Sequence, residues 1–326
     1  MRVLFTVLLF LIVAGSRAAS VDPALPRYEP QRIEVPQSAT YVAVDGSIVV
    51  VGYNDMRDLL DALVARFTAT HPGVRFKLDL PGTRFAPAAL ARGESAFAPM
   101  GAEFTPAQLA EYRAVVGADP LEFRVAHASL NPRALSGPLA IFVHRDNPVA
   151  SLTLDQLKRV YAGEATSWGE LGLRGEWVQR SVDAYGVERG TPLALSFQRN
   201  AMGGYAFGSS MVGFAQSVDV VRKVASDPGA IGFAAAMRAA PGARVVPIAP
   251  RPGDEPVALT EENIIAGRYP LDRFLLIYAR PPLASAVREF LRMVLAREGQ
   301  EAVAASPQGY LPLSAQEAAL ERAKLD

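Results

Sequence analysis

Ile48-Val49-Val50-Val51-Gly52-Tyr53-Asn54-Asp55 is the stretch from which the fold of this chain can be predicted. Its β-branched run predicts a buried strand that ends at Gly52. We expect Asp55 to be the N-cap of a following amphipathic helix. The apolar residues of that helix fall on one face: Leu59, Leu60, Leu63, Val64 and Phe67. A buried strand, a short polar loop and an amphipathic helix together form the repeating unit of α/β proteins.

The same alternation continues along the chain. Further strands are predicted at 74–78, 96–100, 139–144, 182–187, 230–234 and 273–279. Further helices are predicted at 86–92, 106–116, 154–161, 192–202, 219–225 and 284–298. This order indicates an α/β fold with layers around largely parallel sheets.

Composition excludes several classes of protein. The chain has 326 residues, which allows one large bilobal unit or two domains. Lys+Arg and Asp+Glu are equal at 33 each, so the chain lacks the positive charge on which non-specific nucleic-acid binding depends. It has no Cys, which excludes disulfides, thiolate nucleophiles and thiolate metal sites.

The first 18 residues are predicted to be a cleaved signal peptide. Arg2 supplies a positive charge, Val3 to Val13 is apolar, and Ser16-Arg17-Ala18 has small residues where signal peptidase needs them. The apolar run is shorter than the roughly 20 residues of a membrane-spanning helix. The alternative is an uncleaved membrane anchor, whereas a lipoprotein anchor is excluded because no Cys follows. We therefore expect export to the periplasm.

No catalytic or metal-binding pattern is present in the sequence. The three His residues, His71, His127 and His144, have no metal-ligand spacing. The G-x-S-x-G, Walker A and G-x-G-x-x-G patterns are missing from the positions that their chemistry requires. We therefore expect no enzyme activity, no metal and no cofactor.

Three loops lead from a predicted strand into a predicted helix, and they are the candidate ligand site. They are Gly52–Asp55, Gly82–Phe85 and Glu188–Thr191. Helix N-termini expose free N–H groups and a partial positive charge, so several of them in one cleft would bind an oxyanion without a metal. Taken singly, each loop could also be an ordinary capped turn. The candidate ligand residues are Tyr53, Asn54, Asp55, Thr83, Arg84, Arg189, Gly190 and Thr191.

Several motifs, taken in order, carry a resemblance to a known family. They are Asp146-Asn147-Pro148, Leu152-Thr153-Leu154-Asp155-Gln156-Leu157, Tyr161-Ala162-Gly163, Ser167-Trp168, Gly229-Ala230-Ile231-Gly232-Phe233, Thr260-Glu261-Glu262-Asn263, Tyr269-Pro270-Leu271 and Gly309-Tyr310-Leu311-Pro312-Leu313. From about Ile48 to Leu313 the chain resembles the phosphate-binding-protein-like family of ABC-transporter periplasmic substrate-binding proteins.

The resemblance implies a two-lobed fold of the type II periplasmic-binding-protein class. Two crossover hinge strands would join the lobes, which would close on a ligand by hinge motion. The implied organisation is a signal peptide at 1–18, a Pro-rich leader at 19–44, lobe I at 45–137 and 245–326, and lobe II at 138–244. We expect the leader to be extended or disordered, because proline removes hydrogen-bond donors and disfavours helix.

The chain departs from the family where the anion should bind. An ungapped match puts Ala96 in place of the family's Asp and Val187 in place of its Arg. Pro192 has no N–H to donate in the loop that follows. Arg84 and Arg189 could supply positive charge from new directions, whereas Asp55 would either repel a dianion or act only as an N-cap.

Two functions therefore stay open. The resemblance implies a monomeric periplasmic protein that binds phosphate or another small oxyanion for an ABC-type transporter, with the transporter's membrane subunits as partners. The alternative is a degenerate binding module of the same fold that acts as an accessory or sensor protein for a non-phosphate ligand or a protein partner. A secreted hydrolase is a third and weaker alternative, and nucleic acid is not expected as a partner.

Overall fold

The computed structural model describes residues 20–325. The predicted signal peptide therefore lies outside the described residues. Within them, no helix combines the length and the apolar composition that a membrane crossing requires.

Twelve strands and ten α-helices alternate in the described chain. The strands are β1 Ile48–Val51, β2 Phe76–Asp79, β3 Phe97–Met100, β4 Leu121–His127, β5 Leu139–His144, β6 Leu152–Thr153, β7 Asp183–Val187, β8 Val212–Phe214, β9 Ala230–Ala235, β10 Ala243–Val245, β11 Ile248–Ala249 and β12 Phe274–Ala279. The helices are α1 Arg57–Thr70, α2 Ala86–Ala91, α3 Pro106–Val116, α4 Leu154–Ala162, α5 Pro192–Asn200, α6 Ser217–Ala225, α7 Glu261–Ile265, α8 Ser285–Val294, α9 Arg297–Ala304 and α10 Ala315–Arg322. The α/β prediction is confirmed.

The sheets are mixed rather than largely parallel. In the first lobe β1 pairs with β2 in parallel, but β12 lies between β3 and β4 and is antiparallel to both. In the second lobe the strand order is β10-β5-β9-β7-β8. There β7 is parallel to β8 and β9, while β5 is antiparallel to β9 and β10. The prediction of largely parallel sheets is therefore wrong. Parallel neighbours need a crossover connection, usually a helix, whereas β5 and β12 enter their sheets directly from the connections between the lobes.

Each lobe has its own aromatic core. In the first lobe, Phe290 of α8 stacks on Phe97 of β3 with ring centroids 4.9 Å apart. In the second, Phe197 of α5 stacks on Phe233 of β9 at 4.1 Å. Trp168 is fully buried in the second core, and its indole N–H donates to the Gly229 carbonyl at 2.9 Å. The buried apolar residues of the two lobes form separate clusters, so each lobe has a hydrophobic core of its own.

The two cores show where the chain passes between the lobes. The core of the second lobe includes Leu139 and Leu271, and the core of the first resumes at Leu275. Ile248, Ile264 and Leu271 belong to the core of the second lobe although they follow the predicted boundary at 244, and Leu311 belongs to that core as well. The two crossings then lie at about 128–138 and 272–273, next to β4 and β12.

The Pro-rich leader forms neither helix nor strand from residue 20 to 36, yet it packs against the first lobe. Leu25 is buried, and the buried Glu289 carboxylate accepts hydrogen bonds from the Tyr28 hydroxyl and the Gln31 backbone N–H, both at 2.8 Å. Glu298 accepts from the Tyr28 backbone N–H at 2.8 Å. The leader therefore supplies hydrogen-bond donors to the buried Glu289 of α8, which also pairs with Arg292 at 3.6 Å, and to the half-buried Glu298 of α9.

Tyr28→Phe is expected to lower the free energy of unfolding by about 1–2 kcal/mol, because it leaves the buried Glu289 carboxylate short of one donor. Urea denaturation measures the change. Tyr205→Phe is the matched control, since Tyr205 is 59% exposed and its loss should change stability little. Equal stability of the two variants would show that the leader contact carries no energy.

Candidate ligand-binding site

Two of the predicted loops are joined directly at the carboxyl ends of β1 and β2. The Gly82 N–H donates to the Gly52 carbonyl at 3.0 Å. Gly52 also lies against β3, since a Cβ at this position would come within 2.3 Å of Pro99 Cγ and 2.7 Å of its carbonyl oxygen. The loops that follow three strands of the first lobe are thus brought together, as open α/β sheets bring ligand loops together.

Tyr53 lies in the floor of this loop cluster. It is 8% exposed, and its ring packs against Gly101 at the end of β3. Its hydroxyl is 3.1 Å from the Ser136 hydroxyl in the first crossing, and its backbone N–H donates to Pro99 at 2.9 Å. Burial raises the pKa of Tyr53 to about 12, so the hydroxyl stays neutral at physiological pH.

Asn54 and Asp55 follow Tyr53 in a short 3-10 turn, Asn54–Met56. Asn54 is exposed at its start, where the first N–H groups have no partner within the turn. Asp55 accepts a hydrogen bond from the Leu135 N–H at 2.8 Å and another from the Tyr310 hydroxyl. Burial, then this bond to a carboxylate, raises the pKa of Tyr310.

The prediction that Asp55 is a helix N-cap is wrong. Met56 occupies the N-cap position of α1 without any side-chain hydrogen bond. An extra 3-10 turn separates Asp55 from the start of α1. The Asp55 carboxylate instead links this turn to Leu135 in the first crossing and to Tyr310 in the segment before α10. Asp55 is therefore a tether of the hinge region in this structure.

Thr83 and Arg84 lie in the second loop, at the start of α2. Thr83 is half-buried, and Arg84 is exposed with its guanidinium 4.5 Å from the centroid of the Phe85 ring. Gly82 has a φ of 124°, a conformation that side chains disfavour, which lets the loop turn sharply toward Gly52. Arg84 is a cation at the rim of the loop cluster.

The third loop belongs to the second lobe and caps α5. The Thr191 hydroxyl accepts from the Ala194 N–H at 3.3 Å and donates to the Glu188 carbonyl at 2.7 Å. Gly190 has a φ of 80°. The Arg189 guanidinium donates to the Gly208 and Met211 carbonyls at 2.7 and 3.2 Å. Arg189 is therefore held by its own lobe, and Thr191 is occupied as a cap.

The family departures have different structural meanings. Val187 ends β7 and is 4% exposed within the second core, so no cation replaces the family's Arg at this position. Ala96 lies at the amino end of β3, where it borders a separate cavity with Thr40 and Arg280. The interpretation of Ala96 as a lost cleft ligand is wrong, because the chain enters the cleft at the other end of β3, at Gly101.

A cavity of about 600 Å³ lies between the lobes. Glu103, Phe104 and α3 line it from the first lobe, and Pro192, Leu195 and Arg199 of α5 line it from the second. Arg199 pairs with Glu103 across this gap at 2.9 Å. The cavity lies within the size range of small-molecule sites. The eight predicted ligand residues are not among those that line it, although Pro192 directly follows Thr191.

Arg273 is a buried cation next to the loop cluster that sequence reasoning did not single out. It lies just before β12, is 5% exposed, and donates to the Gly101 carbonyl at 3.0 Å and the Gly137 carbonyl at 3.3 Å. The available signal was a single cation between the motif Tyr269-Pro270-Leu271 and an apolar strand. Ser136, Glu103 and Arg199 were also missed, because their contacts join parts of the chain far apart in sequence.

A metal is not indicated among residues 20–325, where no group of three or more His, Asp or Glu side chains could hold one. The structure brings together two lobes, two crossings, the joined loops at Gly52 and Gly82, and a cavity between the lobes. This arrangement defines a two-lobed binding protein, in which a ligand would lie between the lobes.

Comparison with known proteins identifies the family. The PBP superfamily domain matches residues 37–298, and the chain belongs to that superfamily. The phosphate-binding protein PstS of Pseudomonas aeruginosa is 28% identical over 314 residues, which cover 93% of this chain and 91% of that protein.

Solved structures share the fold. A phosphate transport receptor of the ABC type from Vibrio cholerae aligns with a TM-score of 0.54 and 19% identity, covering 81% of this chain and 98% of that one. PstS from Borrelia burgdorferi aligns with a TM-score of 0.55 and 15% identity, covering 82% and 98%. The two-lobed fold predicted from the sequence motifs is confirmed.

Proposed function

We propose that this protein is an exported, periplasmic substrate-binding protein that binds phosphate, or a closely similar oxyanion, for an ABC-type transporter. The observation that carries the proposal is the match to a phosphate-binding protein over nearly the whole length of both chains. The junction of the loops at Gly52, Gly82 and Gly101 supports it, since it brings the starts of the first two helices to one edge of the first lobe, although the Gly52, Tyr53 and Gly82 N–H groups already donate within the protein. Binding without chemical conversion fits the family, and we expect a monomer.

The site geometry favours weaker phosphate binding than a fully equipped site would give. Arg189 is engaged by the Gly208 and Met211 carbonyls, Val187 is a core residue, and Pro192 has no N–H. Each charge-assisted hydrogen bond to a buried anion contributes about 1.5–3 kcal/mol, so losing two of them weakens binding by roughly a hundredfold or more. We therefore propose a dissociation constant nearer to millimolar than to micromolar.

Phosphate is expected to raise the melting temperature of the mature protein in a saturable way. A ligand at 100 times its Kd adds about 2.7 kcal/mol of stability, so tens of millimolar phosphate should give a clear shift. Differential scanning fluorimetry measures it, with arsenate and sulfate in parallel and chloride at matched ionic strength as the control. Phosphate and arsenate should raise the melting temperature by similar amounts. Sulfate should raise it less, because sulfate carries no proton to donate.

If none of these anions raises the melting temperature more than chloride does, the oxyanion proposal is overturned. A panel of neutral and zwitterionic metabolites would then test the alternative, a binding module of the same fold with a different ligand. The apolar lining of the interlobe cavity by Phe104, Pro106, Leu109 and Leu195 is the observation that favours this alternative.

A further inference from the structure

Arg273 is buried at the point where both lobes and both crossings meet. Its Nη2 donates to Gly101, which ends β3, and its Nη1 donates to Gly137 in the first crossing. Its Nε, also buried, has no hydrogen-bond partner among the described residues. One donor of this guanidinium is therefore unused inside the protein, an arrangement that costs free energy in the ligand-free state.

The charge of Arg273 is also uncompensated at short range. Within residues 20–325, no carboxylate oxygen lies within the 4.0 Å that defines an ion pair with it. Two acidic groups influence it from beyond that distance: Glu103 pairs with Arg199 at 2.9 Å, and Asp272 pairs with His127 at 2.6 Å through Oδ2, while the buried Asp272 Oδ1 has no hydrogen-bond partner among the described residues. Burial lowers the pKa of Arg273, which remains a cation because an arginine guanidinium starts so high. Buried charges are ordinarily paired, so a partner is missing.

The position of this charge relates it to the loop cluster. Arg273 donates to the carbonyl of Gly101, and the Tyr53 ring also packs against Gly101. Ser136, which lies 3.1 Å from the Tyr53 hydroxyl and 3.3 Å from the Gly101 carbonyl oxygen, completes the same buried layer. The guanidinium thus lies directly beneath the floor to which the first two ligand loops are attached.

We propose that Arg273 is a positioning residue for anion binding, whose guanidinium supplies the positive charge that the ligand loops lack and holds the Gly101 floor in place. The inference rests on the proposed function, and the ligand class is a small oxyanion such as inorganic phosphate. It accounts for a cleft in which Val187 has replaced an arginine and Arg189 is turned away. The charge comes from the hinge instead of from the loop before α5.

Arg244 provides a matched control for a purely structural role. It is a partly buried arginine of the second lobe that likewise donates to two carbonyls, those of Asn147 and Val149, and burial lowers its pKa as well. It lies on β10, at the far edge of the second sheet from β7 and its loop. Arg244→Met should lower the melting temperature but leave the phosphate-induced shift intact.

The test compares Arg273→Met with Arg273→Lys by isothermal titration with inorganic phosphate, using melting in chloride to monitor the fold. If Arg273 acts through its charge, Arg273→Met should weaken phosphate binding about 100-fold relative to the unmodified protein. Arg273→Lys should weaken it by no more than about tenfold, because lysine keeps the charge but not the paired carbonyl contacts. The Met variant should also show a flatter salt dependence of phosphate affinity, which a merely structural change would not produce.

If Arg273→Lys and Arg273→Met lose phosphate affinity equally, or if neither loses any, the inference about Arg273 is overturned. The proposed function still stands in that case, provided that the unmodified protein binds phosphate. If the unmodified protein binds no oxyanion, the proposed function fails first. Should both variants fail to fold, the NMR resonance of the Arg273 Nε–H in the unmodified protein decides. Saturating phosphate should shift that resonance, and an unchanged resonance would refute the role.

Discussion

His127→Phe is expected to lower the free energy of unfolding by about 3–5 kcal/mol, because it leaves the nearly buried Asp272 carboxylate without its charged partner and removes a bond to the half-buried Glu317. His127 ends β4 and is fully buried, with Nδ1 2.6 Å from Asp272 and Nε2 3.2 Å from Glu317. Asp272 precedes Arg273 at the second crossing, and Glu317 belongs to the capping box of α10 at Ser314. One side chain therefore links the hinge to the last helix.

The same cluster predicts how stability changes with pH. Burial by itself lowers the pKa of His127, but the hydrogen bonds to Asp272 and Glu317 outweigh it and raise the pKa from 6.5 to about 9. A group whose pKa is raised on folding stabilises the fold fully below its unfolded value. Its contribution, on the order of 3 kcal/mol, should therefore be present below about pH 6.5 and be lost as the pH rises through 9.

Urea denaturation of the unmodified protein and His127→Phe at pH 6 and pH 9.5 measures both effects. The stability difference between the two proteins should be large at pH 6 and shrink by pH 9.5. His144→Phe is the control, because His144 contacts Asp146, which is 70% exposed and needs no buried partner. A constant difference across this pH range would contradict a protonated His127.

Local pattern was sufficient to predict the first strand–loop–helix unit of this chain but not every later element, since the helix predicted at 284–298 is divided into α8 and α9, and the short strands β6, β8, β10 and β11 were not predicted. The β-branched run ending at Gly52 and the apolar face of α1 report burial directly, so their bounds agree with the structure to within two residues. The same reasoning omits β4, although the alternation of Leu121, Phe123 and Val125 is typical of a strand. Because Glu122 and Arg124 interrupt the apolar residues, β4 lacks the continuous apolar run that marks β1 and β5.

The candidate site was harder to predict, because its side chains are directed by contacts between distant parts of the chain. Asp55 was expected to cap its own helix, but it binds Tyr310, 255 positions away. Arg189 is a cation in one of the predicted ligand loops, yet its guanidinium donates to the carbonyls of Gly208 and Met211. Arg273 joins Gly101 and Gly137, separated from it by 172 and 136 positions. Sequence pattern locates the loops but does not assign their partners.

Gly52→Ala is expected to be the most damaging single change within the ligand loops. The added Cβ would lie 2.3 Å from Pro99 Cγ and 2.7 Å from the Pro99 carbonyl, which is backbone and cannot rotate away. That carbonyl also accepts the Tyr53 N–H, and the Gly52 carbonyl accepts from Gly82. Separating β1 from β3 should therefore cost about 3 kcal/mol, at the upper end for an overpacked site, and displace the Tyr53 floor.

Phosphate titration and urea denaturation of Gly52→Ala measure the two consequences, and the proposed site predicts at least about tenfold weaker phosphate binding. Gly137→Ala is the matched control for stability, because its Cβ would meet the Cε and Sδ atoms of Met237 at 2.2 and 2.6 Å, at the flexible end of that side chain, and a backbone oxygen, that of Ser129, only at 3.0 Å. It should lose less stability, since a thioether can move where a backbone carbonyl cannot. If Gly52→Ala were destabilised but bound phosphate normally, the ligand would have to lie away from the loops that follow β1 and β2, and the interlobe cavity at Glu103 and Arg199 would become the site to test.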